Sequence, residues 1–98
     1  MNDFEYYVYI MAKARNGTLY IGMSSDLPKR VWEHKTKAVK SFTSTYDVQR
    51  LVYYDGPTDL YSARVREAQL KCWRRAWKIA LIEEYNPEWE DLYDEICI

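Results

Sequence analysis

Residues 5–12, EYYVYIMA, alternate in character and are rich in aromatic and β-branched types, so this stretch predicts a β-strand. Asn16-Gly17 is a common pair for a two-residue hairpin turn, and residues 18–22, TLYIG, read as the returning strand. The run Ser24-Ser25-Asp26-Leu27-Pro28 then marks a helix start. Either Ser25 or Asp26 can serve as its cap, and the helix is expected to reach about Val39. Residues 40–45, KSFTST, predict a polar loop. Residues 46–54, YDVQRLVYY, predict a third strand, ended by Asp55-Gly56-Pro57.

Thr58 or Asp59 can cap a second helix over about 60–71. Trp73 to Tyr85 predicts a third helix with Trp77, Ala80 and Leu81 on one side, and a single long kinked helix fits the same pattern. Trp73 and Trp77 are expected to anchor the core. Asn86-Pro87 stops the helix, and residues 88–95 are expected to form a short acidic helix. The order is β-β-α-β-α-α. A three-stranded sheet cannot bury itself, so helices must cover it. The expected class is α+β, a small three-stranded antiparallel sheet flanked by helices. The chain reads as one domain over residues 1–98 with an acidic C-terminal segment at 83–98.

Composition narrows the function classes. A chain of 98 residues leaves room for one domain and one modest core. Aromatics make up 16% of it, with ten Tyr and four Trp. Such residues build compact cores, and they also line nucleic-acid and peptide sites. No apolar run of about 18 residues is present, which excludes a transmembrane helix. The start, MNDFEYY, has no basic region and reads as no secretion signal. Cys72 and Cys97 form neither a CxxC pair nor a ligand cluster, so a reducing cytoplasm is the expected location.

Net charge is −1, but its distribution is split. Residues 1–82 hold all 14 Lys and Arg, while seven of the 15 acids fall in residues 83–98. A basic body with an acidic end is compatible with a polyanionic partner and equally with solvated surface charge.

Several positions have chemical capacity. Tyr9 and Tyr20 lie in the two strands of the hairpin and can meet across it. Phenols can position a water or take its proton, although strand packing alone accounts for such residues. Arg30 and His34 are four apart on the first helix and share a face. Arg offers a donor fork matched to phosphate, and His can donate to an oxyanion. A solvated charge and a surface histidine are the plainer readings. Trp32 faces elsewhere and reads as packing.

Glu67 falls beside the apolar stripe Leu60, Ala63 and Leu70 of the second helix, where a carboxylate needs a cation. Arg64, Arg66 or Lys71 can supply one. So can Mg²⁺, which keeps several waters. A basic band runs through Lys29, Lys35, Lys37 and Lys40, then Arg64, Arg66, Lys71, Arg74, Arg75 and Lys78. Placed around one groove, these residues would neutralise backbone phosphates. Of them Lys29, Lys35, Lys37, Lys71, Arg74 and Lys78 are the expected nucleic-acid contacts. Tyr7, Tyr46 and Lys71 are further candidates for the same groove.

These residues resemble the GIY-YIG nuclease superfamily. Val8-Tyr9-Ile10 looks like its first motif with Val in place of Gly, and Tyr20-Ile21-Gly22 matches the second in full. The arginine of the following helix falls on Arg30, a histidine one turn later on His34, and the metal-binding glutamate on Glu67. The stretches Asn16–Gly22, Val31–Lys35 and Trp73–Trp89 are similar to small stand-alone bacterial members. The resemblance covers residues 5–93.

The resemblance implies a metal-dependent endonuclease that hydrolyses DNA, including single-stranded or branched DNA, by a one-metal mechanism in repair. Glu67 would hold Mg²⁺ or Mn²⁺. Tyr9 or Tyr20 would position and deprotonate water, and Arg30 and His34 would stabilise charge on the phosphate. Many members carry an asparagine about twelve residues past the glutamate, where this chain has Lys78-Ile79. That departure favours an alternative, a catalytically weak or inactive nucleic-acid-binding module. The charge of the acidic segment suggests another, a partner-dependent accessory protein that docks a basic partner through residues 83–95.

Overall fold

The structure is a computed structural model and describes residues 4–38 and 46–97. Strand β1 spans Tyr6–Ala12 and β2 spans Leu19–Ser24. Helix α1 covers Leu27–Thr36 and strand β3 covers Arg50–Thr58. Helices α2 (Leu60–Cys72), α3 (Arg75–Tyr85) and the short α4 (Tyr93–Ile96) follow. The sheet order is β2-β1-β3, with both pairings antiparallel. The expected α+β class and its three-stranded sheet are what the chain forms.

The central position of β1 explains its composition. Val8, Ile10 and Ala12 enter one core with Val52, Ala63, Leu70, Ile82 and Trp89, on the side of α2 and α3. Tyr9 and Met11 enter another with Leu27, Val31, Val48 and Leu51, on the side of α1. A strand covered on both faces needs apolar residues at almost every position.

Local chemistry sets the ends of the elements. Asp26, not Ser25, caps α1, accepting from the Lys29 N–H at 3.2 Å, with Pro28 in the first turn. Lys37 ends α1 in the left-handed region (φ 56°). Val39 and the expected loop at 40–45, Lys40 included, lie outside the described residues. Asp59 caps α2 through the Ser62 N–H at 2.7 Å.

Three expectations are corrected. First, β3 runs over 50–58 rather than 46–54. Tyr46 and Asp47 form a turn, with Asp47 at φ 58°. At the far end Gly56 and Pro57 stay in the strand. Proline is tolerated there because β3 is an edge. Gly56 has φ +125°, and a Cβ on it would lie 2.7 Å from the Tyr6 carbonyl oxygen, so no other residue fits without distortion.

Second, α3 begins at Arg75 rather than at Trp73; it is separate from α2, as expected, and the chain is extended at Trp73 and Arg74 between them. Third, Trp77 is 53% exposed and Ala80 is also exposed, while Ile82 is the fully buried residue of α3. Trp73 is only partly buried. Trp32 is 50% exposed and packs little.

The large core indole is Trp89 instead. It is fully buried, with Nε1–H donating to Glu83 at 2.8 Å. It lies within the acidic segment, which folds back along β3. Asn86 donates through Nδ2 to the Val52 carbonyl at 3.1 Å, and the Leu92 N–H donates to the Leu51 carbonyl at 2.8 Å. Residues 86–92 thus close the first half of the β3 edge, which would otherwise present unpaired backbone groups. No described helix is long and apolar enough to cross a membrane.

Candidate functional site

The hairpin brings Tyr9 and Tyr20 to the α1 side of the sheet. Their ring centroids are 6.3 Å apart. Tyr9 pairs across the ladder with Gly22. A Cβ at position 22 would stand 2.6 Å from the Tyr9 hydroxyl and 2.7 Å from Cζ. The glycine therefore makes the space in which the Tyr9 ring lies across β2. Sequence reasoning left Gly22 without a role, and its place opposite Tyr9 in the hairpin register was the signal that could have supplied one.

Helix α1 lays His34 and Arg30 on these rings, as their four-residue spacing requires. The Tyr9 hydroxyl and His34 Nε2 are 3.0 Å apart and buried. The His34 ring also meets Tyr20 edge-on, with centroids 5.3 Å apart. Arg30 hydrogen-bonds both Tyr9 and Tyr20. Its Nη1 also donates to Glu33 at 3.2 Å, a partner three residues on that the sequence reading passed over.

Charge in the cluster is set by burial. Burial, and then the Arg30 charge, push the His34 imidazole down to about 4, so it is neutral at pH 7. With His34 neutral and Tyr9 protonated, one arrangement satisfies both groups. The Tyr9 hydroxyl donates to Nε2 and accepts from Arg30. Burial and the neighbouring Tyr20 push the Tyr9 phenol well above its ordinary value, against the opposing pull of Arg30. The Arg30 guanidinium is held more firmly protonated than usual. Burial opposes this, and its hydrogen bonds to the tyrosines outweigh it.

Glu67 projects from α2 with its side chain 22% exposed, close enough for its charge to act on Tyr9. Its Oε2 is 3.4 Å from Lys71 Nζ, the bland pairing that the sequence allowed. Among the described residues no group of three or more His, Cys, Asp or Glu could hold a metal. Glu67 alone therefore cannot close a cage. One half-buried carboxylate does fit a hydrated Mg²⁺ or Mn²⁺, which takes hard oxygen ligands and keeps most of its waters.

The five nominated side chains thus gather at the hairpin, with Tyr9, Tyr20, Arg30 and His34 in direct contact and Glu67 at their margin. The nominated cations do not all join them. Lys71 and Lys78 line a recess of about 300 Å³ at the outer edge of β2 with Leu19, Tyr20 and Ile21. Lys78 has its ammonium 3.5 Å from the Lys71 carbonyl oxygen. Lys29 is exposed on α1.

Lys35 is tied to Asp91, and Lys37 to Asp47 at 3.0 Å. Arg74 lies 5.5 Å over the Trp77 ring. Tyr7 packs edge-on against Tyr54, with centroids 6.4 Å apart, and Tyr46 is exposed on its turn.

A hairpin carrying two facing tyrosines, followed by an Arg/His helix and a glutamate helix, defines a class, and comparison with known proteins agrees. Residues 5–80 match the GIY-YIG catalytic domain, so the chain belongs to the GIY-YIG family. Its relatives carry the name UPF0213. The protein from Syntrophus aciditrophicus is 36% identical over 83 residues, covering 84% of this chain and 93% of the relative. That from Bacillus pumilus is 29% identical over 94 residues, covering 96% and 95%. The solution NMR structure of the UPF0213 protein from Bacillus halodurans shares the fold. Its TM-score is 0.55 at 24% identity, covering 88% of this chain and 90% of the other.

Proposed function

We propose that this protein is a nucleic-acid-binding GIY-YIG domain that seats a backbone phosphate against Arg30 and Tyr20, with phosphodiester hydrolysis weak or absent. The observation that carries this reading is the permanently charged Arg30, held on the two phenols beside a recess lined by Lys71 and Lys78. Guanidinium, ammonium and phenol donors suit phosphate oxygens, and their contacts are independent of base sequence.

Two features oppose efficient hydrolysis in this state. The Tyr9 proton is held by burial, a poor starting point for a base at pH 7. The Glu67 carboxylate is engaged by Lys71.

The second reading is a one-metal DNA endonuclease, favoured by the gathering of Tyr9, Tyr20, Arg30 and His34 with Glu67 at their margin. Glu67 would hold Mg²⁺ or Mn²⁺, and the bound ion would supply positive charge for the developing phosphorane and leaving oxygen. Arg30 would orient the phosphate, and Tyr20 would align an attacking water.

The two readings separate in one experiment with fluorescent single-stranded and branched DNA. The binding reading expects salt-dependent affinity, weakened about tenfold or more in Arg30→Ala, without cleavage in Mg²⁺ or Mn²⁺. Metal-dependent cleavage abolished by Glu67→Ala would establish the endonuclease. Binding that ignores both salt and Arg30→Ala would remove the phosphate site altogether.

A further inference from the structure

The opposite edge of the sheet holds a second concavity that the GIY-YIG cluster does not touch. A cavity of about 460 Å³ is lined by Val52, Tyr53, Tyr54, Asp55, Tyr85, Leu92 and Glu95. It straddles the outer edge of β3 where the part closed by residues 86–92 ends, with Val52 and Leu92 in its wall. Tyr53 belongs to the core under α3, and Tyr54 packs on the core under α1, so the two rings bracket the strand from its two faces. The exposed Tyr85 of α3 stands against Tyr53, with centroids 6.0 Å apart. Glu95 comes from α4.

The polar groups are arranged in a definite sense. The Tyr53 hydroxyl donates to Asp55 Oδ2 at 2.7 Å, and the Tyr54 hydroxyl donates to Glu95 Oε2. Glu84 hydrogen-bonds Tyr85 at the rim. The cation present is Arg66, whose Nε lies 3.3 Å from Asp55 Oδ2. It balances one carboxylate and leaves Glu95 and Glu84 in surplus. Each phenol uses its proton on a carboxylate, and the Tyr53 oxygen also accepts from Arg66, so it is the Tyr54 and Tyr85 hydroxyls that offer a ligand oxygen lone pairs. Tyrosine faces attract cations, and so do acceptor oxygens and surplus carboxylates. Phosphate or another anion would meet the wrong charge here.

We infer that the cavity at the outer edge of β3 binds an organic cation, an alkylammonium or guanidinium group seated among Tyr53, Tyr54 and Tyr85 and paired with Glu95. The inference is independent of the nucleic-acid reading, since it uses the other edge of the sheet and none of the residues around Arg30. The cation can come from a free small amine or from a basic side chain on a strand laid along β3.

The test is titration of the full chain, followed by NMR of the tyrosine rings. One probe is agmatine, and another is the capped tripeptide acetyl-Thr-Arg-Thr-amide. The capped tripeptide acetyl-Thr-Gln-Thr-amide serves as the neutral control. Agmatine and the arginine peptide are expected to shift the Tyr53, Tyr54 and Tyr85 signals, and the glutamine peptide is expected to leave them in place. Glu95→Gln should weaken agmatine by about fivefold, and the exposed-wall variant Tyr85→Ala by about the same.

An arginine peptide that binds more than about tenfold tighter than agmatine assigns the site to a partner strand, by the added backbone pairing. Near-equal affinities assign it to a free amine. The proposal is overturned if the cations shift none of the three rings. It is overturned equally if Glu95→Gln and Tyr85→Ala, both still folded, bind as well as wild type.

Discussion

The two outer edges of one small sheet carry opposite chemistry. The β2 edge gathers cations, with Lys71 and Lys78 in its recess and Arg30 laid on Tyr20 nearby. The β3 edge gathers phenols and carboxylates, with Tyr53, Tyr54 and Tyr85 beside Asp55 and Glu95. They differ also in depth. At the β2 side the polar groups reach into the core, because Tyr9 is 1% exposed and His34 is 3% exposed. At the β3 side the carboxylates stay near solvent. Changes at the first edge should therefore unsettle the fold as well as any binding, and changes at the second should leave the fold nearly intact.

The largest effect is expected from Gly22→Ala. The new Cβ meets the far end of a ring that is buried and cannot swing aside. A loss of about 2–3 kcal/mol in chemical denaturation is expected, as for other overpacked cores. Nucleic-acid affinity should fall with it, since Tyr9 supports Arg30. A variant as stable as wild type would mean that the ring is not packed as described.

Acidification comes next. The His34 pKa in the fold, about 4, lies below the ordinary value of about 6.5 for an exposed histidine. Between these values the unfolded chain binds the proton more readily. Stability should therefore fall as the pH drops from about 6.5, and this contribution should be gone below about 4. Its size is on the order of 2 kcal/mol for so buried a ring. It should appear as a narrowing gap between wild type and His34→Gln in denaturation curves at pH 7 and pH 4. A gap constant with pH would place the histidine in solvent.

Tyr9→Phe is expected to cost about 1 kcal/mol. It keeps the ring and removes the partner of His34 Nε2. The same variant should leave the histidine's titration depressed when read by NMR, since the burying ring and Arg30 remain. The smallest effect sharpens the contrast between the edges. Tyr85→Ala removes an exposed ring that touches Tyr53 and hydrogen-bonds Glu84 at the surface, and should cost no more than about 0.5 kcal/mol. A loss comparable to Gly22→Ala would make the acidic edge structural.

Much of this was legible before any coordinates. The hairpin, the positions of the two helix starts to within a choice of two cap residues each, and the shared face of Arg30 and His34 follow from short-range rules. These are alternation, capping and helical spacing, which act over a few residues and so are written in the sequence. Long-range matters were not. Residues 46–54 carry a strand-like composition, yet pairing with β1 placed β3 at 50–58, and the edge position let Gly56-Pro57 stay in the strand at an irregularity between the Val8–Asp55 and Tyr6–Thr58 pairs.

Trp77 and Trp89 look equally apolar in one dimension. Only the packing of α3 and the returning segment decided that Trp77 faces out and Trp89 in. The same segment, by sequence a run of acids, became the cover of a strand edge.

For the candidate site, the residue types were legible and their states were not. That a histidine sits a turn from an arginine is local. That burial keeps it neutral against Tyr9, and that Glu67 pairs with Lys71 at the margin of the cluster, depends on the three-dimensional arrangement of four separate elements. Backbone preferences are fixed by neighbours in the chain. Charge and burial depend on neighbours in space, and only the folded structure specifies them.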